Sequence, residues 1–264
     1  MNDSDRKQRA GEAFQRLIGI MDDLRTRCPW DREQTFESIR PLTIEETYEL
    51  SEGILKKDYN LIRKELGDLL LHIVFYSKIA QEGNKFDIVD VINSLCEKLI
   101  YRHPHIYGEV KVNDASQVVE NWEQLKIKEK DGNKSVLSGV PSALPALIKA
   151  NRIQEKVRAV GFDWNDRSQV WDKVQEELNE LRHEVEVTRS PEDIEKEFGD
   201  LLFSVVNAAR LYGIDPETAL ERTNRKFIKR FEYLEQRTIK QGRSLKEMTL
   251  DEMNVIWEEA KRFD

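Results

Sequence analysis

Cysteine is scarce in this chain: Cys28 and Cys96 are the only two, too few and too widely spaced for a disulfide framework or a cysteine metal site. Four histidines leave no spacing from which a Ser-His-Asp arrangement can be read. Basic charge is short as well. The net charge of −8 leaves no excess to neutralise nucleic-acid phosphates, although a small anionic substrate remains open if a metal cation bridges it to acidic residues. No apolar run approaches the length that spans a bilayer, and the opening stretch MNDSDRKQRAGEAF lacks the apolar core of a signal peptide. No G-x-x-x-x-G-K-[ST] loop is present, which argues against a P-loop NTPase. These absences predict a cytoplasmic protein with neither nucleic acid nor membrane as partner.

What is present points to helices. With 12 Gly and 7 Pro against 35% charged and 39% hydrophobic residues, the 264-residue chain reads as globular and helix-rich. It is long enough for two ordinary domains. Apolar residues recur at spacings of three and four, with little sustained alternation. DLLLHIVF alone could be a buried strand, but it continues from LIRKELG without a turn signal and so reads as helix. Thr43 with Glu46, and Thr249 with Glu252, read as capping boxes. Ser190-Pro191 and Asp215-Pro216 read as caps followed by proline at the first helical position.

The chain also repeats itself. CPWDREQTF, TIEETYELSEGI and LIRKELGDLLLHIVF in the first half are answered by GFDWNDRSQ, KVQEELNELRHEV and DIEKEFGDLLFSVVN in the second. The offset is 134 at Trp30 and Trp164, 131 at Glu45 and Glu176, and 132 at Asp68 and Asp200. Lys98 and Arg102 likewise match Lys226 and Arg230. An offset this long means duplicated domains: one over residues 1–130, one over 146–264, with a Gly-, Ser- and Pro-rich linker at 131–145.

Helical phase places the acids. At about 100° per residue, Glu177 and Glu180 border the stripe of Leu178, Leu181 and Val185; Glu197 and Asp200 border that of Phe198, Leu201 and Val205. In the first half, Glu46 and Glu49 lie beside Leu50 and Ile54, and Glu65 and Asp68 beside Leu69 and Ile73. A solvated acidic face explains one such pair; it need not keep the same phase in four helices. Two such helices packed antiparallel bring four carboxylates together at the margin of the core. Such carboxylates repel unless protonated or bound to a cation, and oxygen-only ligands suit Mg²⁺, with Mn²⁺ as a substitute. Glu46 has the alternative of serving only as a cap.

EELNE, a spacer and EKEFGD resemble the E-E-x-x-E…E-x-x-D signature of the all-α nucleoside triphosphate pyrophosphohydrolases, the MazG family in particular. The resemblance extends to CPWD, YRHPH, VGFDW, NRKFIKR and the duplication itself, and so covers nearly the whole chain. It implies an all-α fold of two tandem domains, with four-helix-bundle-like packing in a homodimer. The implied activity is Mg²⁺-dependent hydrolysis of an NTP or dNTP to NMP and pyrophosphate, in the service of nucleotide-pool cleansing. It further implies Glu177, Glu180, Glu197 and Asp200 as metal ligands, with Glu176 supporting them or orienting water. Asn224, Lys226 and Arg230 would contact phosphates, and Trp257 with Lys261 would close the site. Glu46, Glu49, Glu65 and Asp68 form the corresponding second site, expected to be weak or inactive. Trp164 either stacks a base or belongs to the core.

Other readings stay open beside this one. A di-iron carboxylate bundle needs two E-x-x-H pairs, whereas only Glu180 with His183 supplies one; the matching position in the first half is Glu52. His103 and His105 are candidate ligands or a general base, or else form a structural loop around Pro104. A helical scaffold or nucleotide-binding regulator, with the acids on a structural cation or none, is the non-enzymatic alternative.

Overall fold

A computed structural model of the chain describes residues 2–112, 114, 117, 118, 121, 122, 125, 126, 135–164, 166–188, 190–240 and 242–263. Among these residues there are helices and no strand, as the all-α reading expects. The chain divides into two compact units, Met1–Lys111 and Val112–Asp264. That boundary falls ahead of the linker expected at 131–145, of which residues 131–134 lie outside the described residues.

The first unit contains α1 (Asp3–Arg27), α2 (Pro29–Glu33), α3 (Phe36–Lys56), α4 (Tyr59–Glu82), α5 (Ile88–Arg102) and α6 (Pro104–Tyr107). Its core is Met21, Ile39, Val74 and Phe75, with Phe14, Leu17, Leu42, Leu71, Tyr76 and Ile79 packed against them. The helices α3 and α4 form an antiparallel hairpin. Asp58 caps α4 by accepting from the Asn60 and Leu61 backbone N–H groups at 3.0 and 3.1 Å. At the crossing, a Cβ on Gly53 would lie 3.2 Å from the Ile62 nitrogen, so the close approach of the two helices depends on its hydrogen.

The capping box expected at Thr43 and Glu46 is replaced by an earlier one. Thr35 caps α3 together with Ser38, and the helix then runs through Pro41. Thr43 sits inside it, donating to the Ile39 carbonyl at 3.2 Å and meeting the Tyr76 hydroxyl at 2.8 Å. With an intact cap eight residues earlier, the pattern at Thr43 has no orphan N–H group left to satisfy. Helix α5 stops at Arg102, ahead of Pro104, and the His103 ring Nδ1 lies 2.6 Å from the Leu99 carbonyl.

The second unit contains α7 (Ala146–Arg158), α8 (Gln169–His183), α9 (Pro191–Leu211), α10 (Pro216–Ile239) and α11 (Leu250–Ala260). Here the expected caps form: Ser190 and Asp215 accept from Asp193 and Thr218 backbone N–H groups at 3.4 and 2.8 Å, and Thr249 pairs with Glu252 as a box. Helices α8 and α9 repeat the hairpin of α3 and α4. Between them, Glu184–Thr188 is a π-helical turn. The repeat offset grows from 131 to 132 across this stretch, and a single inserted residue is what a π turn absorbs inside a helix.

The acid-edged stripes are less covered than their phase suggested. Ile54, Ile73, Val185, Phe198 and Val205 are 56%, 48%, 46%, 51% and 46% exposed, whereas Glu65 is 0% and Glu177 7% exposed. In each hairpin one acid points between the helices, and much of the apolar stripe beside it faces outward. Trp164, at 40% exposure, is not a core residue. Its neighbour Asp163 is the anchor: Arg210 on α9 grips the Asp163 carboxylate in bidentate fashion at 2.5 and 3.1 Å, both side chains being largely buried, and Arg158 adds a contact at 3.6 Å. Removing one partner leaves the other charge buried and uncompensated. Asp163→Ala should therefore lower the stability of the second unit by about 3 kcal/mol, read as a shift in its urea unfolding midpoint.

Candidate active site

In the second unit, α8 supplies Glu176, Glu177 and Glu180, and α9 supplies Glu197 and Asp200. Because the hairpin is antiparallel, one carboxylate oxygen each of Glu177, Glu197 and Asp200 lies within 4.8 Å of the others. Glu180, the fourth expected ligand, is not in that trio, but its charge reaches it. Burial raises the Glu197 pKa, and the charges of Glu180, Asp200, Glu177 and Glu184 add to the rise. Glu176 is exposed and turned along α8, where Lys173 Nζ bridges it at 2.8 Å and Glu177 at 2.7 Å.

Glu184 was missed. One of its carboxylate oxygens is buried without a hydrogen-bond partner, as is one of Glu197. The signal was available, since Glu184 follows Glu180 by four residues and Glu177 by seven and so shares their helix face. Its counterpart in the first repeat is Gly53 at an offset of 131, which offers no carboxylate at that position and lies close against Leu61 and Ile62.

The first unit assembles Glu46, Glu49 and Glu65 within the same 4.8 Å. Glu65 is fully buried, and Lys64 reaches over it: its Nζ lies 2.8 Å from Glu65, 3.5 Å from Asp68 and 3.8 Å from Glu49. The cluster splits the two central acids in opposite directions. Burial pushes Glu46 up to about 7, helped by hydrogen bonding with Glu65 and by the charges of Asp68, Glu49 and Glu65. The hydrogen bond from Lys64 outweighs burial at Glu65 and holds its carboxyl below the usual range.

Both clusters suit a hard divalent cation. Their donors are oxygens alone, and Glu46, Glu65, Glu184 and Glu197 each keep a buried oxygen with no hydrogen-bond partner. The expected phosphate contacts lie on other elements. Asn224, Lys226 and Arg230 are on α10, and Trp257 is on α11. The Arg230 guanidinium stands 5.6 Å over the Trp257 ring, whose other neighbour is Phe227 at 4.9 Å between centroids. Lys261 follows one turn beyond Trp257 and pairs with Glu258.

The raised pKa of Glu46 carries a sign. A carboxyl whose pKa is higher folded than unfolded binds more protons in the native state between 4.5 and about 7, so its contribution to stability declines as pH rises through that window. Glu46→Gln cannot ionise. Without divalent cations, the thermal stability of Glu46→Gln relative to the unmodified chain should rise between pH about 5 and about 8, measured by circular dichroism. A difference independent of pH would contradict the Glu46 shift.

Comparison with known proteins agrees with the duplication and with the helices that hold the acids. The family model for the MazG nucleotide pyrophosphohydrolase domain matches residues 34–107 and again 167–234, so each match contains one acid cluster. The chain is 44% identical over 258 residues to a protein of Thermotoga maritima named nucleoside triphosphate pyrophosphohydrolase/pyrophosphatase MazG, covering 97% of this chain and 98% of that one. It is 41% identical over 253 residues to the nucleoside triphosphate pyrophosphohydrolase of Escherichia coli K12, covering 94% and 96%. An uncharacterized Bacillus subtilis protein, YabN, is 43% identical over 235 residues, which span 89% of this chain and 48% of YabN. With two copies of the domain in tandem and full-length relatives at this identity, the chain belongs to the MazG nucleotide pyrophosphohydrolase family.

Proposed function

We propose that this protein hydrolyses nucleoside triphosphates between the α and β phosphates, giving a nucleoside monophosphate and pyrophosphate. The observation that carries the reading is the convergence of Glu177, Glu197 and Asp200, with a buried oxygen of Glu197 left unpartnered, inside a segment matched by the family model. The names of the Thermotoga and Escherichia relatives describe the same activity in those proteins. Glu177, Glu180, Glu197 and Asp200 would hold Mg²⁺, or Mn²⁺ in its place. When bound, such a cation lowers the pKa of a coordinated water and spreads the charge on the phosphoryl group.

The chain's own residues then divide the remaining work. Glu176, exposed beside the cluster, orients the attacking water. Water adds at the α phosphorus, the bond to the bridging oxygen breaks, and pyrophosphate leaves with the electron pair. Lys226 and Arg230, four residues apart on one face of α10, neutralise that leaving group, and Asn224 donates to a phosphate oxygen. Trp257, under the Arg230 guanidinium, and Lys261 close the site, and Trp164 offers an exposed ring for a base. We further propose a homodimer, because the outward apolar faces of α9 and α10, including Phe198, Leu202, Phe227 and Ile228, are each more than half exposed in one chain. The acidic net charge of −8 favours free nucleotides over nucleic acid as partners.

The second unit is proposed to carry most of the turnover. Asn224 stands where the first repeat has Cys96, a poor donor to phosphate, and α5 stops at Arg102 whereas α10 runs 24 residues unbroken beneath Lys226 and Arg230.

With Mg²⁺ and a panel of nucleotides, ion chromatography should find NMP and pyrophosphate; NDP and orthophosphate would refute the assignment, and no hydrolysis would favour a scaffold. Glu180→Gln should cut turnover by at least about a hundredfold, roughly 2.7 kcal/mol of barrier, while Glu49→Gln leaves most activity intact. Equal losses would reverse the roles given to the two units. Sedimentation should show twice the 31.0 kDa mass of one chain, and a monomer at micromolar concentration would remove the dimer.

A further inference from the structure

The two acid clusters differ in where a lysine at the same repeat position points. Lys64 and Lys196 correspond at the offset of 132, each immediately before the central glutamate of its second helix. Lys196 turns back along α9 to Asp193, three residues earlier, at 2.8 Å. The residue three before Lys64 is Leu61, which offers no charge and packs near Gly53 at the hairpin crossing. Lys64 therefore turns to the cluster, where its Nζ spans carboxylates of both helices: Glu65 and Asp68 on α4 and Glu49 on α3. The second unit has a lysine on its cluster too, but Lys173 approaches from one helix only and touches Glu176 and Glu177, leaving the Glu197 and Asp200 side of the trio without it.

We propose that Lys64 is a built-in counter-cation of the first acid cluster, and that a divalent cation enters there only by displacing its ammonium group. The proposal rests on the reading of both clusters as cation sites. A ligand for this cluster is indicated by more than its acidity: Glu65 is wholly buried, and its second oxygen has no hydrogen-bond partner even with Lys64 on the first. The ammonium group meets the same requirement that a metal would meet, positive charge among converging carboxylates, but with one unit of charge rather than two. The Lys64 side chain is 62% exposed, so it can swing into solvent when displaced. The first unit thereby keeps its hairpin partly neutralised without metal, at the expense of metal affinity. Asp193 prevents the same closure in the second unit by drawing Lys196 aside.

The test uses the full chain and Mn²⁺ alone, its free concentration followed by electron paramagnetic resonance. In a background carrying Glu197→Gln and Asp200→Asn, which disables the second cluster, Lys64→Met should bind Mn²⁺ at least about fivefold more tightly than the background itself, and Lys64→Arg should not. Unchanged or weaker binding in Lys64→Met, or no binding with either residue, overturns the proposal. A reciprocal variant guards against a folding defect at Lys64. In an otherwise unmodified chain, Asp193→Ala should free Lys196 and weaken Mn²⁺ binding at the second cluster; unaltered binding there also counts against the proposal. Pyrophosphate release by the unmodified chain separates the two readings, since it tests the second cluster and does not depend on Lys64.

Discussion

Mutual repulsion of carboxylates is the constraint around which each unit is organised. An antiparallel helical hairpin with acids on one edge of each helix forces like charges to within a few ångströms in a partly desolvated setting, where they cannot all stay ionised alone. Three remedies are visible in the same chain. Glu46 is pushed towards its protonated form, Lys64 spans Glu49, Glu65 and Asp68, and Lys173 bridges Glu176 and Glu177. None of these satisfies every oxygen, as the unpartnered atoms of Glu65 and Glu197 show. A divalent cation is the remedy that would complete both clusters, so each hairpin is at once a structural element and a candidate site.

Duplication makes the two units a controlled comparison. The same four acids recur on the same edges, yet small differences around them change what each cluster can do. One extra residue in the second hairpin produces the π turn, and Glu184 takes the place of Gly53. The first hairpin is closely crossed at Gly53; the second has there a further carboxylate whose buried oxygen has no partner. The basic face differs as well, broken at Pro104 in one unit and continuous along α10 in the other. These are differences of backbone continuity and charge placement, not of the acidic motif.

The exposed apolar surface belongs to the same design. Inside each hairpin one acid, Glu65 or Glu177, is buried between the helices, while Ile73, Phe198 and Val205 stay about half exposed. Covering them with a second copy would remove apolar area from water and lower the dielectric around the carboxylates, strengthening their hold on a cation. Stability and chemistry would then draw on one interface.

Most of the architecture was legible in the sequence because its determinants are local. Helix periodicity, the caps at Ser190, Asp215 and Thr249, the duplication and the acid edges all follow from spacings of a few residues or from self-similarity. The same locality misled at Thr43, where a plausible box lies inside a helix already capped at Thr35. What spacing could not supply was the depth of each acid and the direction of each lysine. On a helical wheel Glu65 lies nearer the Leu69 stripe than Asp68 does, but only the packing of α3 against α4 decides that the first is wholly buried and the second partly exposed. Likewise Lys64 and Lys196 occupy one repeat position, and their different partners emerge only when Leu61, Asp193 and the facing helix are placed in space. Periodicity reports which edge of a helix a residue occupies; burial and cross-helix charge depend on what the neighbouring helix brings to that edge, and that is a property of the folded chain alone.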